Sequence, residues 1–171
     1  MRALVVYESM FGNTETIARA VGAGVAARMP VYVVEVGHAP TTIDPDVTLL
    51  VVGGPTHAFG MSRPQTRQDA AKQAEGHVVS EHGGIREWLG EVSGSAPVAA
   101  TTFDTRMKQG WIPGSAARSA QKRLRGKGFV LNSAPQSFYV EGTPGPLLEG
   151  EPARARQWGE QLAARYAPTS R

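Results

Sequence analysis

Short apolar runs recur along the chain, and helical patterns separate most of them. Each run holds three to six residues, as expected for strands that are covered on both faces of a sheet. Strands that alternate with helices pair in parallel, because each helix carries the chain back to the same end of the sheet. The sequence therefore predicts an α/β fold with a parallel sheet, whose strands lie at 4–7, 31–36, 48–52, 98–103 and 129–131.

Two stripes of apolar residues with helical spacing predict long helices near the two ends of the chain. The first consists of Ile17, Val21 and Val25, and the second of Ala155, Trp158, Leu162 and Tyr166. Further helices are predicted at 62–74, where Ser62 and Gln65 have the form of a capping box, at 85–92 and at 115–125. The span 53–83 is long for one connection, so it contains the first of these inside an enlarged loop. We expect one domain over residues 1–166 and a frayed tail over 167–171.

The composition excludes several classes of protein. The chain has no cysteine, which excludes a disulfide scaffold, a thiolate metal site, an iron–sulfur cluster and a cysteine nucleophile. No stretch reaches the ~18 apolar residues that a transmembrane helix needs. The first residues lack the features of an export signal. A cytoplasmic protein without a membrane partner is the expectation.

Several short patterns suggest other functions but lack the required context. Residues 22–27 spell a dinucleotide-binding fingerprint, yet they lie inside the first predicted helix, where small residues favour close packing instead. His77 and His82 flank Glu81 with no spacing typical of a metal site. No Gly-x-Ser-x-Gly elbow is present, so a hydrolase is disfavoured. No metal ligands and no catalytic residues are predicted.

The segment from Tyr7 to Ala18 joins the first strand to the first helix, and its residues are suited to a phosphate. Unpaired N–H groups at a helix start and the helix dipole attract an anion. Gly12 permits close approach of the backbone, while the side chains of Ser9, Asn13 and Thr14 supply donors. The lysine of a Walker A loop is missing, so a nucleoside triphosphatase is disfavoured.

This segment resembles the signature of the flavodoxin family. The resemblance lies in Val5-Val6-Tyr7-x-Ser9-x-x-Gly12-x-Thr14-x-x-x-Ala18-x-x-Val21, where the family closes around the phosphate of flavin mononucleotide (FMN). Met10 and Phe11 make the loop more similar to the flavodoxin module of flavodiiron proteins. The resemblance implies a flavodoxin-like three-layer sandwich with strand order 2-1-3-4-5, helices on both faces, and FMN as the cofactor.

We call residues 9–14, between the first strand and the first helix, the phosphate loop. In the strand order 2-1-3-4-5, the loops after the third and fourth strands lie beside it and flank the same crevice. The loop after the third strand carries Pro55, Thr56, His57 and Phe59, and is similar to the family's first flavin-flanking loop, where an aromatic side chain stacks on the ring. His57 or Phe59 would take that role, whereas a surface histidine and a core phenylalanine are the alternatives.

The loop after the fourth strand corresponds to the family's second flanking loop, which holds the edge of the ring. It carries Phe103, Asp104, Thr105 and Arg106. A guanidinium group near the ring would stabilise the anionic reduced flavin and raise its reduction potential. The alternative is that Arg106 points to solvent. The resemblance thus implies cofactor-binding roles for all fourteen residues: Ser9, Met10, Phe11, Gly12, Asn13, Thr14, Pro55, Thr56, His57, Phe59, Phe103, Asp104, Thr105 and Arg106.

The charge distribution separates this chain from many flavodoxins. The net charge is +3 with pI ≈ 9.5, and the stretch from Asp104 to Lys127 contains seven basic residues and one acidic residue. Flavodoxins that carry electrons are typically acidic, so this chain would need an acidic redox partner protein. The alternatives are a flavin-dependent oxidoreductase that acts on a small molecule of the quinone type, and a deazaflavin-binding protein of the same fold. Nucleic acid is disfavoured, because aromatic residues are not interleaved with the basic ones.

Overall fold

The computed structural model describes residues 1–57, 60–108 and 114–169. Its central feature is a sheet of five parallel strands in the order β2-β1-β3-β4-β5. The predicted flavodoxin-like topology is therefore confirmed. The strands are β1 (Arg2–Tyr7), β2 (Val31–Glu35), β3 (Val47–Pro55), β4 (Ala99–Met107) and β5 (Gln136–Val140).

Helices connect the strands and cover both faces of the sheet. A short 3₁₀ helix (Val36–His38) follows β2, and the two-residue strands Thr42–Ile43 and Ser93–Gly94 pair with each other outside the main sheet. The α-helices are α1 (Asn13–Val25), α2 (Pro64–Gln73), α3 (Ile85–Glu91), α4 (Ala116–Gly126) and α5 (Glu151–Tyr166). Helix α2 lies in the long connection between β3 and β4, as predicted.

Alternate residues of each strand enter different cores, because successive side chains of a strand point to opposite faces. Leu4 and Val6 of β1 pack in the core that contains α3 and α4. Val5 and Tyr7 pack in the core that contains α1 and α5. Both faces of the central strands are therefore buried, which explains the continuous apolar runs at 3–7 and 49–52.

Helices α1 and α5 approach each other at glycines. A Cβ atom on Gly24 would overlap the carbonyl oxygen of Arg156, and one on Gly159 would overlap that of Val21. The two backbones are in direct contact at these points. The prediction that the small residues of 22–27 serve close packing is confirmed.

The predicted fifth strand at 129–131 is wrong. Val130 forms only an isolated parallel bridge to Ala99, and the strand of the sheet is Gln136–Val140, which begins opposite Phe103. Between these two points the edge of the sheet is interrupted, and Pro135 there has no N–H group to donate. The apolar run at 129–131 is explained by Phe129, which is buried in the core beside α4.

The predicted capping box at Ser62 is also wrong. Helix α2 begins at Pro64 with Arg63 as its N-cap, and the Arg63 N–H group donates to Thr66 Oγ1 at 2.8 Å. Proline suits the first turn of a helix, where its missing N–H group is not needed. Ser62 is buried instead, and its hydroxyl accepts a hydrogen bond from Arg67 Nη1 at 2.9 Å.

Candidate functional site

A pocket opens at the carboxyl ends of β1, β3, β4 and β5. Its position follows the rule for open parallel sheets, in which ligands bind where the strand order reverses. Ten of the predicted site residues line it: Ser9, Met10, Phe11, Asn13, Thr14, Pro55, Thr56, His57, Thr105 and Arg106. Their binding roles remain predictions, but the fold brings them to one place.

The loop between β1 and α1 ends in a helix start that no side chain caps. Gly12 is the N-cap residue, with the positive φ of 94° that favours glycine. The Gly12 N–H group donates to Ser9 Oγ at 3.1 Å, so the Ser9 hydroxyl hydrogen can be donated elsewhere. Because α1 lacks a side-chain cap, N–H groups of its first turn remain available to an anion.

One segment distant in sequence holds this loop in place. Val79 and Ser80, which follow α2, donate their N–H groups to the carbonyl oxygens of Met10 and Ser9 at 3.1 and 2.7 Å. The Ser80 hydroxyl accepts from Ser9 N at 2.9 Å. The enlarged loop between β3 and β4 therefore supports the pocket, a role that no short motif in the sequence indicates.

The loop after β3 places His57 at the pocket wall. His57 forms a two-way backbone bridge with Gly60, with N···O distances of 2.7 and 3.0 Å, and its Nδ1 lies 3.1 Å from Thr66 Oγ1. Burial lowers the pKa of the imidazole, and the positive charge of Arg67 lowers it further. The ring is thus neutral at pH 7. Phe59, the other candidate of this loop, lies outside the described residues.

The end of β4 meets the phosphate loop through two hydroxyl groups. The loop predicted at 103–106 is wrong, because these residues belong to β4 and pair with β5. Thr105 Oγ1 lies 2.7 Å from Thr14 Oγ1, and both residues are buried. Arg106 also lines the pocket, and its Nη1 donates to the carbonyl oxygen of Gly114 at 3.1 Å. The guanidinium charge is therefore held at the pocket wall.

Phe103 and Asp104 are placed elsewhere. Phe103 is 1% exposed and packs edge-on against Phe138 and Trp158, so it belongs to the core under the sheet. Asp104 is fully buried, and its Oδ2 accepts hydrogen bonds from the Thr56 and Ser115 hydroxyls at 3.1 and 2.5 Å. The same oxygen accepts from the Ala117 N–H group at 3.1 Å. Asp104 thus positions Thr56 and the start of α4 from behind the pocket wall.

Three lining residues were missed by the sequence reasoning: Met107, Val140 and Thr143. Val140 and Thr143 were missed because the fifth strand was predicted at 129–131, whereas β5 ends at Val140. The signal was the alternation around Phe138 and Val140, followed by a glycine- and proline-rich turn at 142–146.

Glu8 is a buried acid directly before the phosphate loop. It is 1% exposed, its Oε1 accepts from the Ile85 N–H group at 2.7 Å, and no hydrogen-bond partner of its Oε2 occurs among the described residues. Burial raises the pKa of this carboxyl, although hydrogen bonds from Ser62 and Ile85 and the charge of Arg67 oppose the shift. The sequence reasoning gave Glu8 no role.

The flavodoxin family model matches residues 5–82. This stretch contains both the phosphate loop and the loop with His57, so the resemblance that these residues carry is confirmed. A comparison with curated proteins gives no match. None of the described helices has the length and apolar character that crossing a membrane requires. The cytoplasmic location stays a prediction.

Solved structures of flavodoxins share the fold at low sequence identity. A flavodoxin from the domain Archaea is 16% identical, with a TM-score of 0.65 over 96% of this chain and 98% of that one. Oxidised flavodoxin 1 from Bacillus cereus is 14% identical, with a TM-score of 0.68 over 98% of this chain and 100% of that one. The Flv1 flavodiiron core from Synechocystis sp. PCC6803 is 16% identical, with a TM-score of 0.61 over 96% of this chain but 36% of that one.

Proposed function

We propose, from the premise that this chain is a flavodoxin-like protein, that it binds FMN in the pocket at the carboxyl end of the sheet and transfers electrons through it. The observation that carries the proposal is the meeting of an uncapped helix start with the carboxyl ends of three other strands and the residues that follow them around one opening.

The phosphate loop fits the phosphate group of FMN. The first-turn N–H groups of α1 point out of the helix start, and Gly12 leaves the backbone open to close approach, with no atom within 4 Å of a Cβ built there. The hydroxyl of Ser9 and the amide of Asn13 add side-chain donors at the same wall. A doubly charged phosphate would be stabilised there by hydrogen bonds and by the helix dipole.

The remaining walls fit a flat ring with polar edges. His57 presents a neutral aromatic ring from the loop after β3, and Val140 supplies an apolar wall from the end of β5. Thr105 and Arg106 supply a hydroxyl and a positive charge from the end of β4. FMN would supply the redox chemistry, because its ring accepts and releases electrons. The chain would orient the ring, limit its contact with water and set the charge beside it.

The test is a titration with FMN and with riboflavin, which differ by the phosphate, followed by quenching of flavin fluorescence. We expect FMN to bind tighter than about 1 μM, a free energy of about −8 kcal/mol, and riboflavin to bind at least 100-fold more weakly. Equal affinity for the two flavins, or no binding of either, would overturn the proposal. A phosphorylated deazaflavin that binds in preference to FMN would also overturn it.

A matched pair of variants locates the phosphate. Ser9→Ala removes a hydroxyl at the pocket wall, whereas Ser133→Ala removes one that bonds to Tyr166 at 2.8 Å, away from the phosphate loop. We expect Ser9→Ala to reduce the preference for FMN over riboflavin about tenfold, in line with one charge-assisted hydrogen bond. Ser133→Ala should leave that preference unchanged. The same loss in both variants would contradict the assigned phosphate position.

A further inference from the structure

Four arginines from three helices form one surface beside the pocket. We call Arg63, Arg67, Arg86 and Arg123 the arginine surface. They belong to the N-cap of α2, to α2 itself, to α3 and to α4. Burial lowers the pKa of Arg86, and the charges of Arg123, Arg63 and Arg67 lower it further while Glu87 opposes them. Three of them meet at Ser62, since Arg67 Nη1 donates to its hydroxyl at 2.9 Å, Arg86 Nε donates to its carbonyl oxygen at 3.0 Å, and Arg63 follows it in the chain. The charges of the other three arginines therefore all act on Arg86.

The arginine surface carries an excess of positive charge. Glu87 bonds to Arg67 at 2.5 Å, and it is the one acid among the groups that act on Arg86. Helix α4 also carries exposed Lys122 and Arg125 and ends at the exposed C-cap residue Lys127, and it has no acidic residue. Like charges held together with a single balancing acid destabilise the free protein, and an acidic surface placed against them relieves that repulsion.

The arginine surface borders the wall of the pocket. Arg86 donates to the carbonyl oxygens of Met61 and Ser62 at 2.9 and 3.0 Å. These residues directly follow Gly60, whose backbone bridges to His57 at the pocket wall. On α4, Ser119 is the residue that a side chain on Gly60 would meet, and Arg123 lies one turn further along the same face. A molecule on these arginines would therefore lie next to the mouth of the pocket.

We propose that the arginine surface is the docking site of a protein with an acidic surface, which exchanges electrons with the cofactor in the adjacent pocket. The inference rests on the proposed function, because the docked protein would exchange electrons with FMN bound in the pocket. Nucleic acid is the weaker candidate. The only aromatic residue in α2, α3 and α4 is Trp88, which is buried, so these helices offer no ring on which bases could stack.

The experiment uses the FMN-loaded, reduced protein and two forms of one electron acceptor. Native cytochrome c is basic, and fully succinylated cytochrome c is acidic with the same haem. We expect the succinylated form to be reduced faster at low salt, with a second-order rate constant that falls as ionic strength rises. Faster reduction of the native form, or a rate constant for the succinylated form that is independent of salt, would overturn the inference.

Paired variants separate the arginine surface from the overall charge. Arg63→Glu/Arg123→Glu reverses two exposed charges on it and spares Arg67 and Arg86, whose hydrogen bonds support the loop. Arg28→Glu/Arg165→Glu changes the net charge equally, but Arg28 follows α1 and Arg165 lies in the last turn of α5, and these two helices cover the opposite face of the sheet. We expect the first variant to lose about tenfold in rate with the succinylated acceptor at low salt, and the control to lose less than twofold. Equal losses would overturn the inference.

Two further readings keep the outcomes distinct. FMN binding by the wild type and by the first variant is measured beforehand. Failure of the wild type to bind FMN contradicts the proposed function and not the docking site. A short fluorescent DNA duplex is the second probe, at about 0.15 M salt. If the wild type binds it and the first variant does not, nucleic acid is the occupant and the acidic protein is excluded.

Discussion

The two helical layers of this protein are built in different ways. On one side of the sheet, α1 and α5 meet backbone to backbone at glycines over an aromatic core of Phe103, Phe138 and Trp158. On the other side, α2, α3 and α4 cover buried acids, Glu8 and Asp104, and present arginines to solvent. The first layer is apolar packing that holds the sheet, and the second uses polar groups to position the loops of the pocket.

The largest effect is expected where the helices of the first layer touch. Gly24→Val places a side chain into the carbonyl group of Arg156, and α1 and α5 must separate. We expect a loss of about 4 kcal/mol or more in the free energy of unfolding, measured by urea denaturation. Gly90→Ala in α3 is the control, because a Cβ there meets nothing within 4 Å; it should be neutral or stabilise by up to about 1 kcal/mol. Similar losses in both variants would refute the close-contact explanation.

The second effect tests the polar layer through Asp104. Asp104→Ala leaves two hydroxyls and one N–H group without their acceptor, so we expect a loss of about 3 kcal/mol in the free energy of unfolding. FMN affinity should fall too, since Thr56 loses its anchor in the pocket wall. Asp69→Ala, which removes an exposed acid bonded to Gln65, should cost less than about 0.5 kcal/mol. Weakened FMN binding without any loss of stability would instead favour direct contact between Asp104 and the cofactor.

The third effect is a pH dependence of the free energy of unfolding, which is caused by Glu8 in the same layer. Its pKa is raised in the folded protein, so the folded state holds a proton that the unfolded chain has released. Stability therefore falls as pH rises from the ordinary carboxyl value of 4.5 through the raised pKa of Glu8. Each pH unit within that window costs about 1.4 kcal/mol for one group. Glu8→Gln should lose this part of the slope in urea titrations at a series of pH values, and an unchanged slope would show that Glu8 is ionised in both states.

The smallest effect lies at the pocket, between the two layers. Arg106→Ala removes a positive charge beside the proposed ring, so the reduced, more negative flavin is less stabilised. We expect the reduction potential of bound FMN to fall by several tens of millivolts, since about 59 mV corresponds to tenfold for one electron. Arg28→Ala, an equal change of charge at the far edge of the sheet, is the control in a spectroelectrochemical titration. A potential that moves equally in both variants would assign the effect to overall charge.

The first layer was largely predictable from sequence, and the reason is periodicity. Ile17, Val21 and Val25 all point to one face of α1, and the matching stripe of α5 faces them across the glycines. Both helices predicted from these stripes are present, as α1 and α5. The phosphate loop was equally clear, since the spacing of Ser9, Gly12 and Thr14 concerns a single strand-to-helix turn.

The second layer and the far wall of the pocket were less predictable, because their contacts join residues distant in sequence. Ser80 contacts Ser9 only after the chain has passed through α2, and Glu8 meets Ile85 across the same loop. Asp104 looked like a ligand-binding residue because it lies in the predicted loop, yet its partners on α4 occupy it. The prediction of the fifth strand failed for a local reason. The run at 129–131 is more continuously apolar than β5, which lies at the edge of the sheet and alternates between polar and apolar residues.

The hydrogen bonds from Val79 and Ser80 to the phosphate loop make the two segments report on each other. These amides can exchange with solvent only when their bonds to Met10 and Ser9 open. Any ligand that binds the closed loop and not the open one lowers the open population in proportion to its occupancy. The hydrogen–deuterium exchange rates of the amides of residues 79 and 80 therefore measure the occupancy of the pocket, although these residues do not line it.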